Sequence, residues 1–123
     1  MSAALEPTDA ALEALARLPD DGPVVMLNLL RFEPGGGARR YAAYAEGFRA
    51  ILADLGGRIL FAGRAEQLLV GDDTWHHVTL VEYPSRRAFV EMWTHPRYRA
   101  IHEHREAGLA KTVLYALRPV DSA

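Results

Sequence analysis

The chain has 123 residues, 50% of them hydrophobic and 24% charged, with a net charge of −2 and a pI near 6.2. That composition fits one folded domain rather than disorder, and its weak negative balance gives no electrostatic reason to bind nucleic acid or an anionic membrane. Cysteine is absent, which removes disulfides, thiolate metal sites and a cysteine nucleophile. The N-terminal Met1-Ser-Ala-Ala-Leu-Glu-Pro has no basic stretch ahead of an apolar core, so it does not read as a signal peptide. No apolar run approaches the ~20 residues of a bilayer span. The expectation is a soluble, cytoplasmic protein.

Pro7-Thr8-Asp9 opens a short helix, capped by Thr8 or Asp9, that carries Leu12, Leu15 and Ala16 and stops before Pro19. Residues 1–22 are thus a peripheral helix and linker, and 23–119 the domain proper. Pro23 to Phe32, PVVMLNLLRF, is apolar almost throughout, as in a central strand covered on both faces. From Ala38 the period becomes helical, with Tyr41, Tyr44, Phe48 and Leu55 on one stripe, and Gly56-Gly57 ends the helix. Arg58 to Val70 reads as a second strand with a bulge or bend at Gly63. Gly71 to Thr74 is a turn, and Trp75 to Tyr83 returns as the other arm of a hairpin. Ser85 caps a helix whose buried stripe is Ala88, Phe89 and Met92. His95-Pro96 breaks it, and a further helical piece carries Tyr98, Ile101 and Arg105. Thr112 to Leu117 is the last strand. After the first helix the order is βαββαβ, an α+β, ferredoxin-like arrangement with a four-stranded antiparallel sheet and helices on one face. The doubly apolar first strand asks for cover on the other face as well, and a second copy of the chain supplies it most simply.

Several phrases of this sequence resemble the domain-of-unknown-function 1330 family. They are PVVMLNLLRF, the pair Tyr41-x-x-Tyr44, Gly56-Gly57-Arg58, Leu80-Val81-Glu82-Tyr83-Pro84-Ser85, His95-Pro96-x-Tyr98 and His104-Arg105-x-Ala107-Gly108-Leu109. The resemblance spans about Pro23 to Pro119. It implies a dimeric α/β barrel, in which two ferredoxin-like protomers join their sheets, and a pocket between sheet and helices in each protomer. It implies no activity.

The polar residues within these elements are the candidates for chemistry. A buried amide must be hydrogen-bonded, so Asn28 either holds a ligand in that pocket or bonds to backbone or to Tyr44. His76 and His77 are adjacent on a strand, point to opposite faces and cannot share a metal. Periodicity alone does not decide which of them faces a pocket. The candidate acid–base groups are His77, Glu82 and His104, the last two apart from His102 on a helix and so unable to share a metal with it. The candidate ligand-binding groups are Asn28, Tyr44, Arg64 and Arg105, the arginines suiting a carboxylate or enolate oxygen. For Glu82 the alternative is an ion pair with an arginine, and for Arg64 a solvated rim position. The three serines, at 2, 85 and 122, do not suggest a hydrolase, and Gly35 to Gly37 lacks the Lys-Ser/Thr of a phosphate loop. No spacing indicates a metal or selects a haem ligand, and no cofactor is expected. A haem protein, which would show itself by colour on purification, is a third possibility beside two main functions. One is a cofactor-independent enzyme of isomerase, lyase or monooxygenase type acting on a small organic molecule. The other is a non-catalytic, ligand-binding or stress-related homodimer.

Overall fold

The computed structural model describes residues 5–120. Met1–Ala4, where the signal-peptide reading begins, and the serines at 2 and 122 lie outside them. The order is α1 (Asp9–Arg17), β1 (Val24–Phe32), α2 (Gly37–Leu55), β2 (Arg58–Arg64), β3 (His77–Tyr83), α3 (Arg86–Thr94), α4 (Pro96–Gly108) and β4 (Leu109–Leu117). Local chemistry accounts for most of these boundaries. The Thr8 and Ser85 hydroxyls accept from the backbone amides of Ala11 and Ala88 at 3.0 Å and so cap α1 and α3. Gly56 ends α2 in the left-handed region, φ 82°, where a side chain would be strained. His95 ends α3 and also starts α4, its Nδ1 accepting from the Arg97 amide at 3.1 Å, with Pro96 in the first turn.

The strands form one antiparallel sheet in the order β2-β3-β1-β4. Two elements differ from the sequence-based expectation. β2 ends at Arg64, which pairs with His77, the first residue of β3. Beyond one further backbone bond, from the Ala65 amide to the His76 carbonyl, the two chains part, and the apolar Leu68-Leu69-Val70 sits in an exposed connection of residues 65–76, with Val70 93% exposed. The irregularity in β2 falls between Ile59 and Phe61 rather than at Gly63. At the other edge, β4 starts earlier than Thr112, at Leu109, which pairs with Phe32 across a register shift in β1.

Pairing register assigns each strand residue to a face, because directly opposed residues point the same way. Val24, Met26 and Asn28 share a face with Tyr83, Val81 and Thr79 of β3, and Met26 and Asn28 share it with Ala116 and Leu114 of β4. The helices cover this face. Val24, Met26, Val81 and Tyr83 form a single core with Tyr44, Phe48, Ile51 and Leu52 of α2, Phe89, Met92 and Trp93 of α3 and Tyr98 of α4. Leu12 joins it from α1. The opposite face carries Leu27, Leu29, Leu80 and Val113, with Phe61 and Tyr115 exposed at its edges. The 65–76 connection lies over one end of that face. There Asp73 bonds to both Arg31 and Lys111, and these two cations flank the Trp75 ring, each at 5.4 Å. Among the described residues, nothing covers the rest of this apolar face.

Candidate functional site

Between the helix-covered face and α2, α3 and α4 lies a small cavity of about 30 Å³. Its polar lining is Asn28, Tyr41, Tyr44, Tyr83, Tyr98 and Arg105, set among Met26, Phe48, Phe89, Met92, Trp93 and Leu114. Asn28 comes from the central strand. Tyr41 and Tyr44 are three apart on α2 and so share one side of it. Tyr98 and Arg105 lie two turns apart on α4. Their juxtaposition depends on how closely α2 and α4 approach. A Cβ on Gly108 would stand 2.7 Å from the Gly37 carbonyl oxygen and 2.8 Å from the Tyr41 amide nitrogen, so only glycine lets the start of α2 rest on the end of α4. The rings then pack in sequence, Tyr41 on Tyr44 at 5.2 Å, Tyr44 edge-on to Tyr98 at 6.0 Å, and Tyr98 on Trp93 at 5.0 Å.

Arg105 is 2% exposed. It donates through Nη1 to the Leu5 carbonyl, and its guanidinium lies 5.7 Å from the centre of the Trp93 ring. Among the described residues no carboxylate pairs with it. A buried cation without a counter-ion is costly, and here its surroundings are hydroxyls and an amide. Tyr44 and Tyr98 share a hydrogen bond of 2.9 Å between their hydroxyls. The Asn28 amide reaches only the Met26 carbonyl, at a long 3.4 Å, and is otherwise free to serve the cavity. Burial pushes the Tyr41 phenol up to about 12 and holds Tyr44 and Tyr83 well above the ordinary value, with Tyr98 raised for the same reason. The Arg105 charge opposes that shift at all four rings without cancelling it. At neutral pH these phenols are therefore protonated and can donate. A cation and several O–H and N–H donors thus converge on one space, and among the described residues no acid lines it.

Of the residues singled out from sequence, Asn28, Tyr44 and Arg105 meet at this cavity. Glu82 does not. It is opposite Val25, on the face away from the helices, and accepts a 3.0 Å hydrogen bond from Arg58. Arg64 is exposed on the edge strand, opposite His77. His77 is on the helix side but near Phe32, and burial with the Arg64 charge lowers its pKa. His104 is half-buried on α4 with its Nδ1 unpartnered, and is not part of the cavity wall. Strand periodicity could not choose a face for Glu82 or His77, and only the register with β1 does. Sequence reasoning did not place Tyr41, Tyr83 or Tyr98 in the site. The signal available was the recurrence of tyrosine, rather than phenylalanine, among the apolar helix-facing positions.

His102, one turn from Arg105 on α4, is also buried, and its Nε2 lies 2.7 Å from Glu6 and 3.1 Å from Glu106. These three ligand atoms fall within 4.8 Å of one another. With the Arg105–Leu5 bond they hold Leu5 and Glu6 down on α4, beside the cavity. Sequence spacing could not show this, since Glu6 is far from α4 along the chain.

Residues 37–117 match the family model described as a domain of unknown function 1330. The chain belongs to the domain-of-unknown-function 1330 family. The family match takes in the four tyrosines and Arg105, while Asn28 and Leu5 precede it. A protein of unknown function from Rhodopseudomonas palustris is 35% identical over 98% of this chain and 100% of its own, with a TM-score of 0.91. Its methylated form gives 34% identity over 98% of both chains and a TM-score of 0.92. A dimeric ferredoxin-like protein of unknown function from a Jannaschia species is 14% identical over 80% of this chain and 100% of its own, at a TM-score of 0.66. At that identity the likeness is one of fold, and it bears out the ferredoxin-like reading. No curated protein matches the chain. Among the described residues, no helix is long and apolar enough to cross a membrane.

Proposed function

We propose that this family member is a homodimer that binds the anionic head of a small organic molecule in the arginine–tyrosine cavity of each protomer. The observation that carries the binding reading is Arg105, buried with no carboxylate partner among the described residues and lining a polar space. The cavity's size sets a limit. At about 30 Å³ it is an order of magnitude below the ~300–1,000 Å³ of whole-ligand sites and suits a small polar head group. The catalytic alternative asked for a histidine or carboxylate at the reacting centre. Among the described residues neither lines this cavity, so the binding reading is the better supported of the two. The protonated phenols serve as donors in it rather than as bases.

Dimerisation is supported by the face bearing Leu27, Leu29, Leu80 and Val113, a contiguous apolar surface of the kind that marks an interface. A second copy laid on it would join two sheets into a barrel. The Jannaschia relative is described as dimeric, as is a ferredoxin-like protein from Bacteroides fragilis. Light scattering after size exclusion should give twice the 13.6 kDa protomer mass, and Leu29→Glu should give the protomer mass with the far-ultraviolet spectrum unchanged. A monomeric parent chain would remove the dimer reading. For the ligand, thermal unfolding with millimolar acetate or benzoate should show stabilisation by the parent chain and none by Arg105→Met. Equal stabilisation of both would place the anion elsewhere.

A further inference from the structure

The cavity is too small for a whole ligand, and the body of any molecule anchored there must lie next to it. Such a space exists. A groove of about 320 Å³ runs between α1 and the sheet, within the ~300–1,000 Å³ typical of small-molecule sites. Its walls are entirely apolar, with Ala11, Ala14, Leu15 and Leu18 from α1 facing Ala116 of β4. Alanines, where larger side chains would have filled the gap, leave it hollow. Met26, Phe89 and Leu114 line both the groove and the polar cavity, so three side chains separate the two spaces. Leu18 at the groove's end is half exposed, which leaves the groove open to solvent.

We propose that the groove holds the apolar body of the molecule whose head binds Arg105, so that the ligand class is an amphipathic organic acid. An acidic head alone would leave the groove unused. An uncharged apolar molecule would leave the Arg105 charge without a counter-ion among the described residues. One carboxylate on a hydrocarbon or aromatic body satisfies both, with the flexible Met26 side chain, which lines both spaces, turning aside to join them. The proposal rests on the anion-binding reading of the cavity, and α1 becomes part of the ligand site rather than a peripheral addition.

The test follows the fluorescence of Trp93, which lines the polar cavity, with butyrate, hexanoate and octanoate as probes and octanol as the uncharged control. Affinity should rise about fourfold for each buried methylene. Octanol should bind at least tenfold more weakly than octanoate. Ala11→Phe, at an exposed helix position, should abolish the chain-length dependence, and Ala14→Phe provides the same block by an independent substitution; chain-length dependence kept by both variants would overturn the groove proposal. If affinity does not change with chain length, the groove proposal fails and the head-group reading stands. If octanol matches octanoate, the anion reading fails and the proposed ligand class fails with it. If none of the acids binds, both are overturned.

Discussion

Replacing Arg105 with methionine separates a residue kept for binding from one kept for the fold. Arg105 is 2% exposed, and burying an unpaired ion costs several kcal/mol even after relaxation. Its compensations are one charged hydrogen bond to the Leu5 carbonyl, worth about 1.5–3 kcal/mol, and the Trp93 ring, worth about 0.5–2 kcal/mol. The two sides nearly cancel. Methionine keeps the apolar stem against Trp93 and removes the charge, and the half-buried Leu5 lets water reach the carbonyl that loses its donor. Arg105→Met should therefore change unfolding free energy by no more than about 1.5 kcal/mol, measured by urea denaturation at pH 7 with an unchanged slope. A loss above about 3 kcal/mol, the range of a large core truncation, would show that Arg105 supports the fold, and the argument from its unpaired burial would be refuted.

Three further outcomes follow from the geometry. Gly108→Ala forces a Cβ against the Gly37 carbonyl and the Tyr41 amide and should cost about 1–3 kcal/mol, whereas Gly22→Ala, with open space around it, should stay within about 1 kcal/mol of the parent chain. Equal thermal midpoints for the two would contradict the close approach of α2 and α4. The buried tyrosines predict alkaline lability: their folded pKa values exceed the ~10 of an unfolded tyrosine, so stability is complete below pH ~10 and declines above it, through about 12 for Tyr41. Urea midpoints that do not fall between pH 9 and 11 would speak against that burial. Asp73, held down to about 2 by Lys111 and Arg31, ties the 65–76 connection to the sheet, so Asp73→Ala should speed proteolytic cleavage within 65–76 and leave cleavage elsewhere unchanged.

The fold was legible because its determinants are local. Thr8, Gly56, Ser85 and the His95-Pro96 break act within a turn or two of their own positions, and each ends or starts an element where the sequence suggests. The central strand was legible from its unbroken apolar run. β2 was overextended for an equally physical reason. Leu68-Leu69-Val70 has the composition of a strand, but a strand needs a partner, and β3 begins only at His77. The lining of the cavity was readable where one residue's neighbours settled the matter, as for Tyr44 on its helical stripe, Arg105 on α4 and Asn28 in an apolar run. It was unreadable where the answer depended on register, as for His77 and Glu82, or on a segment far away in the chain, as for Leu5 beside Arg105. In each of these cases pairing distant in sequence decided the geometry.

The division of the site along the chain has a consequence for protein engineering. Arg105 and the four tyrosines all lie within residues 41–105, embedded in the packed body of the domain, while one wall of the groove is α1, a nine-residue helix tethered outside that stretch. If the groove holds the body of a ligand, its α1 wall can be resurfaced at Ala11 and Ala14 while Leu5, which bonds Arg105, and Leu12, which joins the core, are kept. Chains with the same anchor and different leading helices would make a graded set of receptors, sharing one chemical handle and sorting molecules by the shape attached to it.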